Sequence, residues 1–227
     1  MSTTIIVLGV ILVLLIIYMM FQDYFTGANK LTGEKYLKDS NANIPHNDVS
    51  GKNSSIFTYS MWLYVNTYGD EDKIIFKRNN DVALYLDRTT ATLKCLVGEE
   101  NAQGDIYDNT NAIDVTNNFP LQKWVHILIS VDNTIVDVYL DGKLIKSVQI
   151  TKSVSIPESG SDIVFGSNWD AYFAKFERHS KATDPKSAYD KYMEGNGGST
   201  LSQALGNMNV NLSITKDNIE TSRFALF

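Results

Sequence analysis

The side chains that could do chemistry are few and scattered. The densest acidic group is "GDEDK", in which Asp70, Glu71 and Asp72 are adjacent. Three neighbouring acids cannot all point at one ion or one bond, and they sit at a turn before a strand-like run, so they read as a solvated loop. The histidines, His46, His126 and His179, form no i, i+4 pair, and a single cysteine leaves no C-x-x-C. His126 lies on a strand-like run and reads as a packed, hydrogen-bonded ring. Neither a G-x-S-x-G elbow nor a glycine-rich phosphate loop occurs. Cys95, inside the apolar run "TLKCLVG", reads as a buried, inert thiol and cannot form an internal disulfide. The better-placed chemistry is aromatic. "GSNWDAYF" (166–173) brings Trp169, Tyr172 and Phe173 beside a loop, where exposed rings stack on sugars or anchor interfaces. The opposing reading puts at least two of the three in the core.

The elements that must position these residues divide the chain into three parts. Residues 5–21, "IIVLGVILVLLIIYMMF", are 17 consecutive apolar residues that include Ile5, Leu12, Ile16 and Phe21. As a helix, residues 3–22 would reach roughly 30 Å, the thickness of a hydrocarbon core, so residues 1–25 read as a transmembrane anchor. A cleaved signal peptide is the alternative; it lacks a charged n-region, but "TGA" at 26–28 offers small residues for a cleavage site. Lys30, Lys35 and Lys38 follow the span and favour a cytoplasmic-side domain. Residues 26–55 are polar and read as a tether partly laid against the domain, and 56–227 as the folded domain. The net charge of −6, without a basic stripe, gives no reason to expect nucleic acid. The sequons at Asn53 and Asn211 are explained by chance.

Within the domain the dominant period is two. In "IFTYSMWLYV", Phe57, Tyr59, Met61, Leu63 and Val65 share one face, and Ile56, Thr58, Ser60, Trp62 and Tyr64 the other. In 124–131, Trp124, His126, Leu128 and Ser130 oppose Val125, Ile127, Ile129 and Val131. Asp141-Gly142 is a type I′ hairpin signal that joins "IVDVYL" to "KLIKSV" in a three-stranded meander. Further strands are expected at 73–78, 82–87, 92–98, 161–166 and 171–178, with one around "IYD" in the 99–122 loop. In 171–178, Tyr172, Ala174, Phe176 and Arg178 are expected to alternate with Phe173, Lys175 and Glu177. Only "DPKSAYDKYMEG" signals a helix outside the apolar run, with Asp184 as N-cap, Pro185 at N1 and Gly195 as stop. The terminal "NMNVNLSITKDNIETSRFALF" reads as two strands, whose apolar end pairs into the chain's own sheet or adds to a neighbour's.

The order "FTYSMWLYV", "IIFKR", Trp124-x-His126, Tyr139-x-Asp141-Gly142, "DIVFG" and "AYFAKFERH" resembles the laminin-G-like domains of the concanavalin A-like family. The resemblance covers about residues 55–195 and implies an all-β, two-sheet antiparallel jelly roll. Glycoside hydrolases of that family carry an E-x-D-x-E-type strand; "GDEDK" lacks its two glutamates four apart, so the chain is expected not to be an enzyme. Some members bind Ca²⁺, which makes Asp70 and Asp72 weak candidate ligands. An anchor directly before such a domain is also similar to virion proteins of large DNA viruses. Those resemblances imply a membrane-anchored structural component linking a bilayer to neighbouring shell proteins, with a carbohydrate-binding adhesion protein as the alternative and an anchored glycosidase as the least favoured reading. Under either, Asp141→Pro or Gly142→Val is expected to lower the thermal unfolding temperature, and unchanged melting of both variants would remove the hairpin assignment.

Overall fold

The structure, a computed structural model, describes residues 9–14, 17, 28–31, 33–98, 105–196, 211–216 and 219–225. Two antiparallel sheets face each other. The large one runs in the order β1 (Ala28–Leu31), β12 (Ala171–His179), β3 (Phe57–Val65), β8 (Trp124–Asp132), β9 (Ile135–Leu140), β10 (Lys143–Gln149), and β2 (Lys35–Tyr36) also pairs with β12. The small one runs β11 (Val164–Phe165), β4 (Lys73–Arg78), β5 (Val82–Leu86), β6 (Leu93–Val97), β7 (Ile113–Thr116). Between them lies a core fed by alternate residues: Tyr59, Met61 and Leu63 of β3, Val125, Ile127 and Ile129 of β8, Phe76, Leu84 and Cys95 of the opposite sheet. The expected all-β, two-sheet sandwich is what forms. Asp141 and Gly142 both have positive φ, 47° and 73°, as the type I′ turn requires.

Outside the core the two outer faces are also clothed. On the small sheet, Tyr85 meets the short 3₁₀ turn Ile106–Asp108, donating to the Ile106 carbonyl at 2.8 Å and packing edge-on against Tyr107. That turn replaces the strand expected at "IYD", because the Asp105 side chain accepts from the Tyr107 amide and closes it. On the large sheet, the helix Pro185–Met193 (α1) sets Ala188 against Leu128 and Tyr139. Asp184 caps α1 as the sequence indicates, accepting from the amides of Lys186 and Ser187, with Pro185 in the first turn.

Two expectations are corrected and one is made specific. The segment 26–55, read as a tether partly laid against the domain, is paired into it: β1 and β2 pair with β12, Ile44 bridges to Ile163, and backbone carbonyls of residues 50–52 accept from buried arginines. Alternation along β12 breaks at a bulge between Ala174 and Glu177, where Lys175 has φ of 47°. The extra residue turns Phe176 and Arg178 into the core side and Glu177 to the outer face, which no strict two-residue period gives. Finally, β13 (Asn211–Lys216) and β14 (Ile219–Ala225) pair with each other and, among the described residues, with no strand of the sandwich.

One buried polar cluster ties the two sheets together. Asp81, in the β4–β5 turn, accepts through Oδ2 from Arg78 of the small sheet at 2.7 Å, from Arg178 of the large sheet at 3.3 Å and from the Tyr59 hydroxyl at 2.8 Å. All three charged side chains are wholly buried. Removing the shared carboxylate leaves both guanidiniums in the interior without it. Asp81→Ala is therefore expected to cost about 3–5 kcal/mol in urea unfolding, and a loss below about 1 kcal/mol would show that the sheets do not depend on it.

Candidate functional site

The outward residues of β3, β8 and β12 form rows across the large sheet. Register places Tyr36 opposite Tyr172, Tyr172 opposite Tyr64, and Tyr64 opposite Trp124. The four rings make a continuous row over four strands, about 14 Å wide at the usual strand spacing. Tyr36 and Tyr172 stack at 4.5 Å between centroids, Tyr172 meets Tyr64 edge-on at 6.4 Å, and Tyr64 lies 5.6 Å from Trp124. Every one of the four is half-buried, so each residue keeps some surface open to solvent. The row is open because cover stops beside it. Along β3 the next outward ring, Trp62, is already capped by Tyr192 of α1, stacked at 5.6 Å.

Polar groups frame the row. At one end the Asp170 carboxylate accepts from Tyr36 Oη (3.0 Å), Asn66 Nδ2 (2.8 Å) and Thr67 Oγ1 (2.7 Å), and these bonds, that of Thr67 foremost, hold its carboxyl below the usual range. At the other, Asp141 accepts from the His126 amide at 2.9 Å and lies 3.5 Å from Lys123 Nζ. Beside the row, under the C-terminal end of α1, is a notch of about 10 Å³, room for roughly one water, lined by Trp62, His126, Lys175, Glu177 and Lys191 among others. Glu177 is ion-paired to Lys191 at 2.5 Å and bonded to His179 at 3.0 Å. Ser60 and His126 share a hydrogen bond of 2.9 Å, yet His126 Nδ1 has no partner among the described residues and no carboxylate orients the ring. Without that orienting group, and with both side chains buried under α1, the pair does not form an activated nucleophile.

Of the aromatics singled out from the sequence, only Tyr172 belongs to the row. Trp169 and Phe173 are core residues, which corrects their reading as binding groups. Gly166 lies so close to the Ile74 carbonyl that a Cβ would sit 1.7 Å from it, and this approach lets the Trp169 indole donate to the same oxygen at 2.9 Å. Phe173 faces inward from β12 and stacks on Phe165 at 4.7 Å. Asp72 is engaged by Arg88 at 2.7 Å, and Arg88 also pairs with Asp105. Among the described residues no group of three or more His, Cys, Asp or Glu could hold a metal ion. Cys95 is buried, and burial pushes its thiol up to about 12, the inert state expected. Ile5, Ile16 and Phe21 lie outside the described residues; Leu12 lies in the helical stretch 9–14 and is exposed. No helix among the described residues is long and apolar enough to cross a membrane. Tyr36, Tyr64 and Trp124 were missed, although the outward alternation of "MWLY" and "WVHI" already set Tyr64 and Trp124 on faces with Trp62 and His126.

A two-sheet antiparallel sandwich of this topology matches a known class. The family model for the concanavalin A-like lectin/glucanases superfamily matches residues 38–177, more than half of the chain, and the chain belongs to that superfamily. No curated protein sequence matches. Solved structures similar in fold include the binding domain of botulinum neurotoxin DC in complex with rat synaptotagmin II (TM-score 0.52, 14% identity, covering 74% of this chain and 46% of that one). Another comes from work on botulinum neurotoxin type C, whose cell entry depends on interaction with two ganglioside molecules (0.51, 16%, 74% and 46%). A mutant of Trypanosoma rangeli sialidase displaying trans-sialidase activity is a third (0.53, 10%, 74% and 29%). The chain spans less than half of each of these.

Burial of His126 and Glu177 beneath α1 is expected to make the domain acid-sensitive. Burial pushes the His126 imidazole down from 6.5 to about 4. Burial opposes ionisation of Glu177, but the His179 hydrogen bond and the Lys191 charge prevail and hold it at about 2, below its ordinary 4.5. As the pH falls, the unfolded chain takes up these protons first. The His126 contribution is complete above about 6.5 and is lost between 6.5 and 4; that of Glu177 is lost from 4.5 down to 2. Unfolding free energy is expected to drop by about 3 kcal/mol from pH 7 to pH 4 through His126, and His126→Gln should flatten this segment. A wild-type curve level over that range would contradict the placement of His126.

Proposed function

We propose that this chain is a non-catalytic carbohydrate-recognition module of the concanavalin A-like type, held at a lipid bilayer by its N-terminal apolar run. The open row Tyr36–Tyr172–Tyr64–Trp124 carries the reading. A pyranose ring has apolar C–H faces and hydroxyl edges, and it is met by aromatic rings flanked by a few fixed polar groups. The row supplies the rings, and Asp170, Asn66 and Lys123 at its ends supply hydrogen-bonding groups within the same face. Sharing a fold with a ganglioside-interacting toxin favours a carbohydrate ligand over a structural role in a virion shell; none of the matches named above is a virion or capsid protein. A non-catalytic role is supported by the engagement of Asp72 with Arg88 and of Asp170 with three donors, which leaves neither carboxylate poised as an acid or nucleophile.

The membrane part of the proposal rests on the N-terminal helical stretch. Val10, Ile11, Leu12, Val13 and Leu14 are five successive apolar side chains, each more than half exposed. Apolar side chains on every side of a helix call for a non-aqueous surrounding, and a bilayer supplies one.

The test is a carbohydrate array probed with the full chain in detergent. Binding to a subset of glycans is expected, and Tyr172→Ala and Trp124→Ala should each weaken it about three- to tenfold, the worth of one ring contact, with the melting temperature little changed. Glycan binding that is indifferent to both substitutions would place the ligand elsewhere, and an array with no bound glycan would defeat the carbohydrate reading.

A further inference from the structure

We infer that the aromatic row is carried at the end of the sandwich remote from the membrane, so that it meets carbohydrate on an opposing surface rather than the bilayer in which the chain is anchored. The inference rests on the anchored carbohydrate-binding reading above and adds its geometry. The apolar run ends at Phe21 and β1 begins at Ala28, leaving six residues that span at most about 20 Å. Register then fixes where the chain joins the sandwich. Ala28 pairs with His179, at the C-terminal end of β12, and Leu31 with Phe176, so β1 runs away from that junction. β2 continues in the same direction, bringing Tyr36 to Tyr172 at the other end of β12. From His179 to Tyr172 is seven residues of strand, roughly 20 Å.

The junction end is held firmly. Arg178 donates to the carbonyls of Ser50 and Gly51, and His46 meets Arg78, so the chain near the membrane side is bonded to the same buried cluster that joins the sheets. The β8–β9 turn, Thr58 and residues 180–183 share this end. At the far end lie Val65, Ala171, the Asp141-Gly142 turn and the whole aromatic row. Rings meant for the headgroup region would belong at the junction end, where interfacial aromatics collect. This row lies a sandwich's length away from it.

The test uses the full chain in phosphatidylcholine vesicles carrying an acceptor dye on the headgroups of both leaflets. A donor dye is attached through Lys181→Cys at the junction end or Leu121→Cys at the row end, both exposed positions; buried Cys95 stays unlabelled. The donor at 181 is expected to be quenched at least about twofold more strongly than the donor at 121, given the roughly 20 Å between them. Equal quenching, or stronger quenching at 121, would overturn the inference while leaving the anchor standing. Failure of the chain to float with the vesicles, with Leu12→Glu making no difference, would remove the anchor reading and this inference with it. A carbohydrate array without binding, beside the expected quenching, would overturn the carbohydrate reading and the meeting with an opposing surface, and would leave only the row's place remote from the membrane.

Discussion

Two buried guanidiniums converging on one carboxylate oxygen constrain the rest of this molecule. Arg78 belongs to one sheet and Arg178 to the other, and Asp81 can serve both only if the sheets close to a fixed distance at that end. Burial and the Asp81 carboxylate push the Tyr59 phenol far above its ordinary range, so Tyr59 stays a neutral donor, the third on the same carboxylate oxygen. Other guanidinium donors reach the carbonyls of Ser161 and of residues 50–52, which draws the N-terminal segment into the sandwich, and Arg178 Nε donates to the Tyr59 hydroxyl. A charge cluster of this kind is poor evidence of net stability, since well-packed apolar residues can replace such groups. Its effect is to specify one geometry: which turn sits at that end, and which strand edge the incoming chain must pair with.

That geometry decides what the outer faces can do. Because the interior takes one side of the sandwich, function is left to the side facing out, part of which is covered by the 105–112 segment and by α1. The bulge at Lys175 serves both sides. It returns Phe176 to the core, places Glu177 under α1 to meet Lys191, and lets Lys175 reach the Glu194 carbonyl at the end of the helix at 3.1 Å. A non-glycine residue at positive φ is strained, and here the strain is matched by helix docking on one face and ring packing on the other. The aromatic row begins where α1 has run out.

Much of the fold was legible because it is local. The Asp141-Gly142 turn, the Asp184 cap and the alternation of β3 and β8 depend on neighbours within a few residues. What failed depends on distant partners. Nothing in "ANKL" or "KY" announces pairing with a strand some 140–150 residues later, and their polar surroundings suggested a tether. Trp169 looked like a loop aromatic because its burial is set by the Ile74 carbonyl and the missing side chain of Gly166. The candidate site was legible only through Tyr172. Its other rings come from three other strands, and only sheet register puts them in one line.

Whether ligand sits on that line of rings is tested most directly by a crystal structure of the chain with the tightest-binding oligosaccharide of the array. The expected result is a sugar ring against Tyr172, Tyr64 or Trp124, with its hydroxyls on Asp170, Asn66 or Lys123. Sugar bound on the rim around Arg88 and Asp105, with the row bare, would contradict it.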